Sequence, residues 1–332
     1  MARVRFLSVL AGLAVFSYGC ECGQTEGEGT APAAQPRTIA VIPKGTTHEF
    51  WKSVHAGANK AGRELGVEIL WQGPVREDDR SEQIRVVEDV ISHGVAGIVL
   101  APLDDTALVP AAREATSEGI PVVIIDSGIN WDGLVSFVAT DNRRGGQLAA
   151  ERLGEIMQGH GKAIMLRYQE GSASTMEREA GFLETMQQRF GDIELVSTNQ
   201  YGGATTESAY ATAENLLVNH PDVEGIFCPN ESTTFGMLRA LVDARRAGEV
   251  RFVGFDASEK LVEGLEAGHI QGLVVQNPFR MGELGVRAAI DHIDGRTVER
   301  RIDTGATMVT HENMAQPEIR ELLAPDLARW LD

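Results

Sequence analysis

The sequence predicts an α/β protein built as two doubly wound, parallel-sheet lobes with a cleft between them, and three observations carry that prediction. Gly119-Ile-Pro-Val-Val-Ile-Ile-Asp-Ser-Gly128 is a continuous, β-branched apolar run that stops on a carboxylate, as a strand buried on both faces does. The pattern is written twice. Ala96–Asp105, a helical run from Leu108 to Ser117 and the Asp126 strand are matched by Glu224–Glu231, a helical run from Phe235 to Ala244 and Val250–Asp256. Two strand–helix–strand units of similar spacing, both closing on Asp, predict two similar lobes. Ligands of open α/β sheets sit beyond the carboxyl ends of the strands, so Asp126 and Asp256 are placed to face a cleft from opposite sides.

With 332 residues, 43% of them hydrophobic, the chain can fill two ordinary cores. Its net charge of −18 argues against nucleic acid, whose phosphates need clustered Lys and Arg. The three cysteines, Cys20, Cys22 and Cys228, make neither a disulfide framework nor a metal knuckle. There is no Gly-x-Ser-x-Gly elbow, no His-Glu-x-x-His and no glycine-rich phosphate loop. The chain is therefore expected to be no enzyme and to need no metal or cofactor.

Residues 1–19 have the parts of an export signal: Arg3 and Arg5, an apolar run from Phe6 to Phe16, then small residues before Cys20. That run is shorter than the ~20 residues a membrane-spanning helix needs. Ser17-Tyr18-Gly19-Cys20 looks like a bacterial lipobox with departures at Ser17 and Tyr18, so Cys20 is the candidate lipidation site and soluble secretion the alternative. Residues 20–37, rich in Gly, Glu, Thr, Ala and Pro, read as a flexible tether.

The folded part opens with a strand, Thr38–Pro43, and a helix whose stripe runs Phe50, Val54, Ala58, Ala61, Leu65. Adjacent Trp51 falls off that stripe, either to pack locally or to stack on a ligand. A strand at Val67–Trp71, a charged surface turn at Arg76–Arg80 and a helix from Ser81 to Ser92 lead to the repeated unit. Val135–Ala139 and the polar Thr140-Asp141-Asn142 follow, then a helix from Gly145 to Met157 and a fresh strand, Lys162–Arg167, where the second lobe begins. Ser174-Thr-Met-Glu177 has the form of a capping box. It would put Arg178 in a first helical turn, which the macrodipole makes unfavourable for a cation. Arg178 then serves either a salt bridge to Glu177 or Glu179, or a ligand oxygen. Strands at Ile193–Ser197, Gly225–Cys228, Arg251–Phe255 and Ile270–Gln276 alternate with helices, the last opened by Asn277 as cap and Pro278 at N1. A strand near Arg301–Gly305 and a C-terminal segment complete the chain.

Thr38-Ile-Ala-Val-Ile-Pro43, Phe50-Trp51, Asp126, Ala139-Thr-Asp-Asn142, Arg178 with Gly181-Phe182, Asn230, Val253-Gly-Phe-Asp256 and Gln276 occur in an order that resembles the periplasmic sugar-binding proteins of ABC importers, of the ribose-binding type, across Thr38 to Asn313. These are type 1 periplasmic binding proteins, related to the ligand-binding core of the lactose-repressor family. The resemblance implies that Phe50 and Trp51 flank a sugar ring, that Asp126, Asn230, Asp256 and Gln276 bond its hydroxyls, and that Arg178 donates to its oxygens. Carboxylates accept, guanidinium donates and amides do both, which suits vicinal hydroxyls. Taken singly, Asp141, Asn142 and Asn230 also read as helix caps and Asp256 as a turn residue.

The resemblance also implies three hinge crossings, near Ala139–Asp141, Gln276–Pro278 and Asp303–Gly305, which divide the chain into a lobe of 38–139 plus 277–304 and a lobe of 140–276 plus 305–332. Departures bear on the ligand. Ser127 stands where ribose binders have Arg, His48 precedes the aromatic pair where they have Asn, and their second-lobe aromatic falls near Ala204, with Tyr201 as a substitute. Ile42-Pro-Lys44 is similar to binding proteins for a furanosyl signal, which implies that Lys44 contacts the ligand, whereas His48 reads as a cap or surface residue. The function implied is an exported, monomeric solute-binding protein of the periplasm or cell envelope. It would capture a small sugar or polyol for a membrane ABC permease, held to the membrane by lipid if Cys20 is acylated. The alternative is a sensory protein presenting a furanosyl signal or other small ligand to a membrane receptor.

Overall fold

The computed structural model describes residues 37–331. The expected signal peptide, Cys20 and all but the last residue of the expected tether lie outside them. The chain runs β1 (Thr38–Ile42), α1 (Glu49–Leu65), β2 (Glu68–Trp71), α2 (Arg80–Ser92), β3 (Gly97–Leu100), α3 (Val109–Ser117), β4 (Val122–Ile125) and β5 (Phe137–Ala139). It continues as α4 (Asn142–Ile156), β6 (Gly161–Arg167), α5 (Ala173–Arg189), β7 (Ile193–Tyr201), α6 (Thr206–Asn219), β8 (Gly225–Phe227), α7 (Glu231–Asp243), β9 (Arg251–Phe255), α8 (Glu259–Glu266) and β10 (Gly272–Gln276). It ends with α9 (Pro278–Ile293), β11 (Arg301–Asp303), β12 (Ala306–Val309) and α10 (Pro317–Leu323).

Two six-stranded sheets result, ordered β11-β5-β4-β3-β1-β2 and β12-β10-β9-β8-β6-β7. The repeat seen in the sequence is thus a repeat of topology: β4 and β9 hold the same sheet position, as do β3 and β8, and β1 and β6. All pairings are parallel except that of β10 with β12. Helices cover both faces of each sheet, which is why the strands carry no polar alternation. In β1, Ile39 and Val41 pack under α1 and α9, while Ala40 and Ile42 pack under α2 and α3.

The chain passes between sheets at three places, and these segments lie side by side. Thr304 N–H donates to Ala139 O (3.2 Å), Asp141 N–H to Asp303 Oδ1 (3.2 Å), and Gln276 pairs with Ala306. Near the third crossing the sequence predicts one strand; the chain makes two, one in each sheet, because Gly305 (φ 81°) turns it between them. Asn277 caps α9 by accepting from Arg280 N–H (3.0 Å), with Pro278 at N1 as expected.

Glycines set the closest helix contacts, and they do so twice. A Cβ on Gly57 of α1 would lie 1.8 Å from Phe279 O, and one on Gly282 of α9 would lie 2.0 Å from Val54 O. In the second lobe a Cβ on Gly146 of α4 would lie 1.9 Å from Arg178 O, and one on Gly181 of α5 would lie 2.1 Å from Arg143 O. Backbone therefore packs on backbone, and the Gly146 contact fixes where Arg178 stands. Gly146→Ala should part α4 from α5 and cost about 1–3 kcal/mol or more of stability, read from urea unfolding; an unchanged unfolding midpoint would contradict this packing.

Candidate functional site

Lys44, Phe50, Trp51, Asp126, Arg178, Asn230, Asp256 and Gln276, all singled out from the sequence, line one cavity between the carboxyl ends of the two sheets, with about 30 Å³ of free space. Sequence reasoning missed Glu77, Tyr168, Ser172, Ser174, Thr175 and Glu231, and read His48 as a cap or surface residue.

The two repeated aspartates come from opposite lobes, each as the first residue past its strand and each in the left-handed region: φ is 59° at Asp126 and 69° at Asp256. That conformation costs a non-glycine residue of order 1 kcal/mol. It turns both side chains out of their sheets and into the cleft. Arg178 lies between them, its guanidinium 4.0 Å from Asp126 Oδ1 and 4.0 Å from Asp256 Oδ2. Its Nε donates to Asn142 Oδ1 (2.8 Å), its Nη1 to Pro229 O (2.9 Å), and its Cζ lies 4.0 Å from the centre of the Phe255 ring. Burial draws the pKa of Arg178 down against the pull of Asp256 and Asp126, and the same burial pushes Asp256 up.

Two expectations about Arg178 are corrected here. Helix α5 begins at Ala173 with Ser172 at the N-cap, so Arg178 stands beyond the first turn and meets no strong macrodipole penalty. The Ser174–Glu177 capping box does not form, because Ser174 serves the other lobe: its N–H donates to Ser127 Oγ (3.1 Å) and its Oγ accepts from Lys44 Nζ (3.0 Å). Neither Glu177 nor Glu179 pairs with Arg178; they bind Arg143 and Arg167.

Lys44 is a strut across the cleft. Its three N–H protons are matched by Asp126 Oδ2 (3.0 Å) in its own lobe and by Ser172 (3.2 Å) and Ser174 (3.0 Å) in the other. Asn230 caps α7 through Thr233 N–H (3.3 Å) while still lining the cavity, so the cap and site readings both hold for its position. Gln276 Nε2 donates to Asp256 Oδ1 (2.6 Å), but its buried Oε1 accepts nothing.

Phe50 and Trp51 meet edge to face, with ring centres 4.9 Å apart, and both are buried. Trp51, off the apolar stripe as expected, lies on the cavity wall with its Nε1 donating to Glu77. The second-lobe aromatic on the cavity wall is Tyr168, while Tyr201 lies against Arg167 outside the cavity.

Glu77 corrects the reading of Arg76–Arg80 as a surface turn. It is buried, accepting from Trp51 Nε1 and Tyr168 Oη and paired with His48 Nδ1 at 2.8 Å. Burial alone would raise the Glu77 carboxyl, but the charge and hydrogen bond of His48, then Lys44 and Tyr168, hold it down at about 2. For His48, burial opposes the charge, yet Glu77 first and then Glu231 and Asp256 bring it up to about 9.

Because the folded pKa of Glu77 lies below its unfolded value near 4.5, its stabilising contribution is present above pH 4.5 and lost as pH falls towards 2. The contribution is about 3 kcal/mol, shared with His48. The unfolding midpoint of the wild-type chain should therefore fall more steeply between pH 4.5 and 2 than that of Glu77→Gln; parallel curves would contradict the assignment.

The chain is similar to known proteins in sequence and fold. A family model described as a periplasmic binding protein domain matches residues 39–297. A D-ribose/D-allose-binding protein of Pseudomonas aeruginosa is 31% identical, covering 81% of this chain and 86% of its own. The ribose import binding protein of Bacillus subtilis is 27% identical, covering 83% and 88%. The crystal structure of a carbohydrate transporter solute binding protein from Agrobacterium radiobacter, in complex with D-arabinose, is 32% identical and superposes with a TM-score of 0.85, covering 88% of this chain and all of that one. Two matched sheets, three crossings and a polar cavity between the lobes, with a family model spanning most of the chain, make this protein a member of the periplasmic binding protein family.

Proposed function

We propose that this chain is an exported solute-binding protein that captures a small neutral sugar or polyol between its lobes and hands it to a membrane ABC permease. The observation that carries the reading is the set of hydrogen-bonding positions left open around the cavity. Asp126 Oδ1 and Arg178 Nη2 stand 4.0 Å apart, too far to bond each other. A hydroxyl at about 2.8 Å from each closes both bonds, donating to the carboxylate and accepting from the guanidinium. Gln276 Oε1, buried and without a partner among the described residues, adds an acceptor that a donor group on a ligand can satisfy.

Charge supports a neutral ligand. Lys44, Arg178 and protonated His48 balance Asp126, Glu77 and Asp256 on the cavity wall, and burial pushes the fourth carboxyl, Glu231, up to about 7, towards its neutral form. Phe50 and Trp51 supply apolar faces on which the C–H side of a sugar ring can pack. The relatives named for D-ribose and D-allose, and the solved structure holding D-arabinose, support a pentose or hexose.

The cavity residues are almost entirely shut off from water: Asp126 is 4% exposed, Arg178 2%, Gln276 2%. A ligand therefore enters only when the lobes part, and hinge closure, for which periplasmic binding proteins are a standing example, completes the site. Binding and release suffice for this role; no residue of the cavity is assigned catalytic work, and the chain acts as a monomeric binding protein rather than an enzyme. The export signal, lipidation at Cys20 and residence in the periplasm or cell envelope belong to the same proposal. The sequence offered Lys44 as a contact for a furanosyl signal, one of the ligands the sensory alternative could present. In the closed lobes all three Lys44 protons are already used, and the named relative is an import protein, so transport is the favoured reading.

A thermal-shift series with D-ribose, D-allose and D-arabinose tests it. One of them should stabilise the wild-type chain by about 2.7 kcal/mol at a hundredfold excess over its dissociation constant, and Asp256→Ala should abolish the shift while keeping the fold. Indifference to pentoses and hexoses alike would overturn the substrate class.

A further inference from the structure

Glu231 is a cavity residue for which the ligand-binding scheme has no use. It is the first residue of α7, its backbone N–H is held by Asp256 Oδ2 (3.1 Å), and its side chain crosses the cleft. There Oε2 accepts from Phe50 N–H (3.3 Å) in the first turn of α1. That turn lacks a side-chain cap of its own: His48 occupies the N-cap position but its side chain makes no cap bond, being turned towards Glu77. Helix N-termini leave their first N–H groups unpaired, and a carboxyl oxygen can accept from them whether or not the group is ionised.

We propose that Glu231 is a positioning residue that caps α1 from the opposite lobe, so that closure locks Phe50 and Trp51 against the bound ligand. Asp256 holds the ligand side of this relay and α1 the aromatic side, with Glu231 joining the two. The bond exists only when the lobes meet, so the cap forms with closure and is lost on opening. This inference rests on the reading of the protein as a closing binding protein, and it goes further by coupling closure to pH.

The groups facing Glu231 are His48 ahead of α1, Glu77 from the loop after β2 and Asp256 after β9, with Lys44 and Arg178 elsewhere on the cavity wall. Burial, with Asp256 and Glu77 adding to it and His48 and the Phe50 N–H bond opposing, pushes Glu231 up from 4.5 to about 7 in the closed form. Opening returns the carboxyl to water. Closing therefore takes up a proton between those values, and it is favoured at the acid end of the window. The His48–Glu77 pair lies within one lobe, and His48 titrates above the window, at about 9.

The test is a calorimetric titration of D-ribose, D-allose and D-arabinose at pH 5, 6 and 7 into wild type and Glu231→Gln, paired with solution scattering of the ligand-free proteins over the same range. Wild-type affinity should weaken about tenfold or more from pH 5 to 7, and the ligand-free wild type should scatter as a more compact particle at pH 5. Glu231→Gln should lose both dependences while retaining an acceptor for Phe50 N–H, and Glu231→Ala should bind more weakly than Glu231→Gln at every pH. Sugar binding with no pH slope in wild type, or the same slope in Glu231→Gln, overturns the coupling of closure to pH, and equal binding by Glu231→Ala and Glu231→Gln overturns the cap; either leaves the sugar reading standing. Absence of sugar binding together with Glu231-dependent compaction at pH 5 does the reverse, and absence of both overturns both.

Discussion

Everything about the cleft follows from one buried guanidinium. Arg178 lies between carboxylates of opposite lobes, near enough to feel both and too far to bond either. Removing such an ion from water costs several kcal/mol unless its protons find acceptors. Asn142 and the Pro229 carbonyl satisfy part of it, and the Phe255 ring underlies its plane. What remains unsatisfied is satisfied best by hydroxyl oxygens placed between Arg178 and its two aspartates. On the proposed reading, ligand and closure are one event, in which a polyhydroxylated guest supplies the bonds that Arg178 and its two aspartates do not make to each other.

The fold is arranged to hold that geometry. Asp126 and Asp256 occupy equivalent sheet positions and share a left-handed backbone, so each lobe presents its carboxylate in the same way. Gly146 brings α4 onto the backbone of Arg178, and Asn142, in the first turn of the same helix, both accepts from Arg178 and donates to Asp126 O (3.3 Å). One helix thus carries the first hinge crossing and the support of the central cation. At the other end of the cavity Glu77 gathers Trp51 and His48 from its own lobe and Tyr168 from the other, while Lys44 ties Asp126 to the start of α5. The lobes therefore meet through charged and hydroxyl groups, which water can replace when they part.

Much of this was legible in the residue order. Apolar strands without alternation announce sheets covered on both faces, and an Asp at the end of two matched units announces a two-sided cleft. All the residues singled out as contacts line one cavity, Lys44 included. What was not legible depends on long-range contacts. Glu77 sits in a run of charges that reads as a solvated turn, and only the chain folding His48, Trp51 and Tyr168 around it makes it a core residue. Ser174 and Glu177 have capping spacing, but a lysine 130 positions away takes the Ser174 hydroxyl. Tyr168 was overlooked for Tyr201 because a strand end in sequence does not say which side chain leans over the cleft. Glu231 looked like an ordinary first-turn acid of its own helix, and it caps a different one.

The most direct test of the account is a crystal structure of the chain grown with whichever of D-ribose, D-allose or D-arabinose binds it. The account predicts the sugar ring against Phe50 and Trp51, with one hydroxyl shared by Asp126 and Arg178 and another by Asp256 and Gln276. A sugar bound to one lobe only, or seated outside this cavity with Arg178 unchanged between its aspartates, would contradict it.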